Sequence, residues 1–258
     1  MKILIGCPIY RRHWILNRWI AAIKSQSYRQ TDLGFVFEVA PDDFDTLNIL
    51  NTWKKYDSSS FYFEIKVRDD INHFEHLPNG RNWTISKYEN MVNLRNSLLS
   101  TVRKIEPDYY FSLDSDILIQ NPNTIELLVS HCKEGADAVS PLMFMTPTND
   151  LYPSVMSWCG DGTNRAMRFR RYPLGTYFQS DVIMAAKMMT KEVYSNINYS
   201  VHEQGEDVGW SYSCKEKGYR LFSASYIYAP HIMSQEMFNE FLVSGDNRLD
   251  NYNINYTI

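Results

Sequence analysis

No run in this 258-residue chain is long and apolar enough to span a bilayer. The opening MKILIGCPIY has a short apolar stretch and no small-residue cleavage site, so a first β-strand is expected there and not a signal peptide. Cysteine is scarce. Cys7, Cys132, Cys159 and Cys214 are scattered with no CxxC pair, the usage of a cytoplasmic protein with reduced thiols. On that expectation the sequons beginning at Asn82, Asn198 and Asn255 carry no meaning. Glycine (11) and proline (10) are too few for a disordered or collagen-like chain. Neither charge dominates: a net of −4 gives no global reason to bind nucleic acid or an anionic membrane, although a local basic patch can do either. GxGxxG after a strand, GxxxxGK[ST] and GxSxG are all missing, which removes dinucleotide, P-loop and α/β-hydrolase chemistry. His73 and His76 flank Glu75 without a third strong ligand, so a polar loop is expected there instead of zinc.

What is present is a succession of apolar segments. Lys2–Cys7, Phe35–Val39 and Phe61–Val67 read as strands, with helices at Trp14–Ser27 and around Leu47, Leu50 and Trp53 between them. This β-α-β-α-β order belongs to a parallel sheet with right-handed crossovers. After a polar loop, a helix over Ser86–Arg103 places Tyr88, Met91, Val92, Leu98, Leu99 and Val102 on one face, with Arg95 in the middle of the stripe. An arginine so placed needs an anion, either a phosphate or a protein carboxylate.

The run Tyr109–Leu113 ends abruptly at Asp114-Ser115-Asp116. A buried strand that stops at carboxylates delivers them to the carboxyl edge of the sheet, where open α/β sheets bind ligands. Two carboxylates there can share a hard cation such as Mg²⁺ or Mn²⁺, with substrate phosphates as further ligands, or form a solvated turn. Helix Thr124–Cys132 and strand Ala138–Met143 follow, and no period is clear from Phe144 to Phe178. So long an irregular region points to a functional loop. A strand is expected at Val182–Ala186, a helix at Glu206–Lys217 stopped by Gly218, and strand, turn and strand end in YRLFSASYIYAPHIM.

The first strand ending in Pro8-Ile9-Tyr10, the acidic pair Asp69-Asp70, NLRN at Asn93–Asn96, LDSDI, and GEDVGWSYSCKEKGYRL together resemble a GT-A nucleotide-sugar glycosyltransferase, closest to family-2-like and mannan-polymerase-like enzymes. The resemblance covers most of the first 231 residues. It implies an α/β GT-A fold, a mostly parallel sheet flanked by helices with a smaller mixed acceptor-side region. The domain would span 1–235, with a nucleotide-binding half at 1–120, an acceptor-binding half at 121–235 and a tail at 236–258. Pro8, Tyr10, Asp69, Asp70, Arg95 and Asp114 would hold a UDP-type donor, with Arg95 at its phosphates. Asp114, Asp116 and His231 would hold Mn²⁺ or Mg²⁺; alternatively His231 is an ordinary partly buried histidine by a proline turn.

A base must take the acceptor's proton, and Glu206-Asp207 opens a helix, where carboxylates are also favoured simply as capping charges. Asp207 is the preferred base with Glu206 as acceptor ligand, and inversion is the preferred stereochemistry. Trp158, Asp161, Arg168 and Arg170 would meet the acceptor. The run Arg165, Arg168, Arg170, Arg171 would suit a charged glycan, a solvated face, or the backbone of hydroxymethylated DNA as acceptor. The competing readings are a sugar nucleotidyltransferase, which would want glycines in the loop CPIYRRHW, and a non-catalytic nucleotide- or glycan-binding module. The tail aromatics Phe238, Phe241, Tyr252 and Tyr256 are expected to pack back on the domain, or else to cover the acceptor cleft or serve a dimer.

Overall fold

The computed structural model describes residues 1–69, 84–145, 153–168 and 174–250. In chain order the elements are β1 (Ile3–Ile9), α1 (His13–Lys24), β2 (Leu33–Val39), α2 (Phe44–Tyr56), β3 (Tyr62–Val67), α3 (Ile85–Ile105), β4 (Tyr109–Leu113), α4 (Thr124–Lys133), β5 (Ala138–Leu142), β6 (Val155–Trp158), β7 (Ala166–Arg168), β8 (Tyr177–Ser180), β9 (Val182–Ile183), β10 (Ala186–Thr190), α5 (Lys191–Asn196), α6 (Glu206–Glu216), β11 (Leu221–Tyr228) and α7 (Gln235–Ser244).

The large sheet has the order β3-β2-β1-β4-β10-β5-β11-β8. β1 pairs in parallel with β2 and β4, β2 with β3, and β11 with β5; β10 and β8 run antiparallel to their neighbours. The chain winds outward from β1 to β3, then crosses back through α3 to β4 on the other side of β1. That reversal opens a crevice between the carboxyl ends of β1 and β4. All residues of β2, β4 and β5 are buried, as strands covered on both faces must be. Below α1 and α2, Phe35, Phe37, Trp53 and Phe63 meet ring to ring at 4.5–5.8 Å, each such pair contributing about 0.5–1.5 kcal/mol beyond its burial.

A second sheet, β7-β6-β9, fills part of the stretch in which the sequence shows no period. Its strands have two to four residues, too few for periodicity to register. The strand expected at Val182–Ala186 is broken at Ala185, whose φ of +54° turns the chain from the small sheet into β10. β10 and α5 are absent from the sequence reading; AKMMT hides its strand behind a lysine at its second position.

In α3, Arg95, Leu98, Leu99 and Val102 are buried as expected, whereas Tyr88, Met91 and Val92 are half-buried. The region after Ser234 is a helix, α7, capped by the Ser234 hydroxyl accepting from Met237 N at 3.2 Å. It packs back on the domain through Phe238 against Trp14, centroids 5.8 Å apart; Tyr252 and Tyr256 lie outside the described residues. Beyond α7, buried Arg248 donates to the carbonyls of His231 (2.8 Å) and Phe144 (3.5 Å) while paired with Asp246.

Candidate active site

Three segments converge at the carboxyl edge. The turn after β4 carries Asp114 and Asp116. It is zipped to the segment after β11 by main-chain bonds from Leu118 N to Pro230 O (2.9 Å) and from Ile232 N to Asp116 O (2.7 Å), which pairs His231 with Ile117 and brings its ring beside Asp116. From α1, the Trp19 indole donates to Asp114 O at 3.0 Å. The third segment is the first turn of α6, with Glu206 and Asp207.

Asp116 sits between a guanidinium and an imidazole, with Arg12 Nη2 at 3.1 Å and His231 Nε2 at 3.3 Å. Arg95, only 2% exposed, donates from Nη2 to Asp114 Oδ2 (3.0 Å), from Nε to Glu206 Oε1 (3.2 Å) and from Nη1 to Ser112 Oγ (3.2 Å). Of the two partners open to Arg95, carboxylates are the ones found in the fold. Lys187, 0% exposed on β10, is ion-paired with Asp207 Oδ1, and Asp207 Oδ2 accepts from Ala185 N at 2.8 Å.

The two neighbouring carboxylates are driven apart. Burial pushes Glu206 up and the adjacent Asp207 adds to this, with Arg95 only partly offsetting them. Burial acts upward on Asp207 too, but Lys187 and then Arg95 outweigh it and hold it below the usual carboxylate range. Lys187 is lowered by burial, which the attraction of Asp207 does not fully offset.

Carboxylate oxygen and imidazole nitrogen suit Mn²⁺, which also accepts phosphate oxygens. Asp114 Oδ1 and His231 Nδ1 are buried without a hydrogen-bond partner, donor atoms of the right kind. Among the described residues, however, no three carboxylate, imidazole or thiol groups converge closely enough to hold a cation by themselves. Asp116 and His231 form a pair, while Asp114 Oδ2 is turned to Arg95.

A model of the glycosyltransferase family 25 N-terminal domain matches residues 2–174. The chain belongs to that family. Among curated relatives, a glycosyltransferase 25 family member from Aedes aegypti is 24% identical over 77% of this chain and 33% of its own length. Procollagen galactosyltransferase 1-A from Xenopus laevis is 28% identical over 50% of this chain and 20% of its own. The matches thus span a third or less of these relatives.

Among solved structures, the mannosyltransferase PcManGT from Pyrobaculum calidifontis, in complex with GDP-Man and Mn2+, has a TM-score of 0.59 at 11% identity, covering 97% of this chain and 68% of that one. S. aureus TarS 1-349 with UDP-GlcNAc has a TM-score of 0.54 at 15% identity, covering 92% and 61%. These likenesses show the GT-A fold expected from the motifs.

The remaining expected site residues of this family 25 chain that the structure describes lie on several different elements. Pro8 lies in β1 opposite Glu38 of β2, and the Arg11 guanidinium covers the half-buried Tyr10 ring at 5.0 Å. Asp69 is exposed just beyond β3; Asp70 and Arg170 lie outside the described residues. Trp158 ends β6 edge-on to Tyr212 (5.7 Å), and Lys215 lies 5.1 Å over its ring. Asp161 is exposed in a turn, where Thr163 donates to it through N (3.0 Å) and Oγ (2.6 Å). Arg165 pairs with Glu203 at 3.4 Å, and Arg168 ends β7. No helix among the described residues is long and apolar enough to cross a membrane.

Two residues of the site, Arg12 and Lys187, and one buried charge in β2, Glu38, escape the sequence reading. Arg12 was only part of a basic loop. Lys187 stands alone in VIMAAKMMT, and Glu38, fully buried between Lys66 (3.8 Å) and Arg68 (3.2 Å), stands alone in FVFEVA. A single charge inside an apolar run was the available signal, since such a group is buried only with partners.

Proposed function

We propose that this chain transfers a sugar from a nucleoside diphosphate donor, of the UDP type, to an acceptor hydroxyl, with a divalent cation and with inversion at the sugar carbon. The observation that carries this reading is the set of four carboxylates at the crevice between β1 and β4, cross-tied by three cations. Asp114, Asp116, Glu206 and Asp207 face Arg12, Arg95 and Lys187, seven groups whose formal charges sum to −1. A diphosphate entering a site of that sign requires added positive charge.

Asp116 and His231 would hold Mn²⁺ or Mg²⁺. Bound there, the cation would neutralise the donor and the charge that develops on its phosphate as the glycosidic bond breaks. No protein nucleophile is needed. Arg95 orients Glu206 and Asp114 in place of meeting the phosphates directly. Asp207, with both oxygens engaged, anchors α6, and the base role passes to Glu206, whose raised proton affinity suits it to accept the acceptor's proton. Trp158 and Tyr212 offer the acceptor an aromatic wall. The procollagen galactosyltransferase relatives make UDP-galactose and procollagen the first donor and acceptor to try.

The deciding experiment titrates UDP into the protein with Mn²⁺ and with chelator, beside Asp116→Ala. Micromolar binding that needs both the metal and Asp116 supports the donor site; no binding of UDP or any other nucleoside diphosphate sinks it. An anomeric assignment of the product by NMR then tests inversion.

A further inference from the structure

The loop 201–205 before α6 is fastened to the small sheet at three points. The Gln204 side chain acts as a short strand: its Oε1 accepts from Ala166 N at 2.8 Å and its Nε2 donates to Ala166 O at 2.9 Å. His202 Nε2 meets Asn164 O at 2.9 Å, and Glu203 meets Arg165. Beneath these bonds Val208, in the first turn of α6, packs into one apolar cluster with Met156, Ala166 and Val182 of the small sheet. Between staple and helix stands Gly205, with φ of +119°, a conformation that few other residues adopt. On its other side the same helical turn is clipped to the large sheet through Asp207, Ala185 N and Lys187.

We infer that Gln204 is a positioning residue that couples the small sheet, with Trp158 at its rim, to the carboxylates that open α6. A group seated against the β6–β7 hairpin then sets the place of Glu206 through two hydrogen bonds to one backbone unit. Of the three fastenings only Gln204 engages main chain at both ends of its amide, so it fixes register as well as distance. His202 and Glu203 reach single atoms on exposed residues.

The structural arm of the test is independent of the transferase reading. Hydrogen exchange of the full chain without ligand, comparing wild type with Gln204→Ala, should show protection falling together in 155–168 and 206–210. Gln204→Glu, which still accepts from Ala166 N but cannot donate to its carbonyl, should give a smaller joint loss. Unchanged protection, or loss confined to one of the two segments, overturns the coupling.

The functional arm rests on the proposed reading and uses UDP-galactose with procollagen. Turnover in Gln204→Ala should fall on the order of 10²-fold, as for a reacting group displaced by about an ångström, with recovery in Gln204→Glu. UDP affinity in Mn²⁺ should stay within about twofold, the donor contacts being untouched. A parallel fall of UDP affinity and turnover overturns a positioning role. Wild-type protein that binds no UDP defeats the transferase reading and leaves the exchange arm to decide the coupling.

Discussion

The two halves of the large sheet are held together by different physics. From β1 to β4 the strands are parallel and contiguous, and the central ones are mostly apolar and buried, with β3 half-buried at the edge. Beyond β4 the sheet turns on antiparallel β10, whose second residue is a buried lysine, and the first turn of α6 is fixed by ion pairs and by hydrogen bonds from side chain to backbone. One half is specified by where apolar residues recur, the other by which charges find partners. Burial is non-directional and tolerates small changes; a buried charge is tolerated only while its partner remains.

Removing a partner in the second half should therefore have the largest effect. Lys187→Met leaves Asp207 buried beside Glu206 without its cation, and urea unfolding at pH 7 should show a loss of about 3–5 kcal/mol. The sign follows pH. Asp207 is depressed in the folded state, so its contribution is present above its unfolded value of about 4 and is lost as pH falls through the folded value. The gap between wild type and variant should accordingly narrow below about pH 4.

Next comes Gly209→Ala. A Cβ there would stand 2.1 Å from Ser200 O, a backbone atom, so α6 must move off the 197–204 segment. Overpacking of that kind costs about 1–3 kcal/mol, read as a lowered urea midpoint at unchanged slope. The smallest effect belongs to the first half. Ile5→Val, at a fully buried position of β1, should cost about 0.5–1.5 kcal/mol in the same measurement. If Ile5→Val proved as damaging as Lys187→Met, the contrast between the halves would fail.

The same contrast decides what could be read from the sequence. β1 to β4 and their helices follow from the apolar pattern, because the central strands are apolar on both faces, edge strand β3 alternates, and each helix shows one stripe. Asp114 and Asp116 were legible because they interrupt such a run at its end. Lys187 and Glu38 were not, since a lone charge in a strand identifies neither its partner nor its face. The small sheet lay beyond reach for another reason: its strands are short, and Gln204 substitutes a side-chain amide for a backbone pair, a pairing that leaves no pattern. Arg95 was legible as a buried cation, but its carboxylate partner Glu206 was not, because α6 lies more than a hundred residues away in sequence.

Arg248 sets a limit on how this molecule may be cut. Its guanidinium satisfies the carbonyls of Phe144 and His231 from beyond the last helix, so the edge of the cooperative unit falls after α7 and not before it. A shortened chain ending at Gly245 would keep every element from β1 to α7, yet would remove the guanidinium that the carbonyls of Phe144 and His231 accept from. Chimeras built by grafting another module at this end inherit the same constraint, and a junction placed past Asp250 respects it.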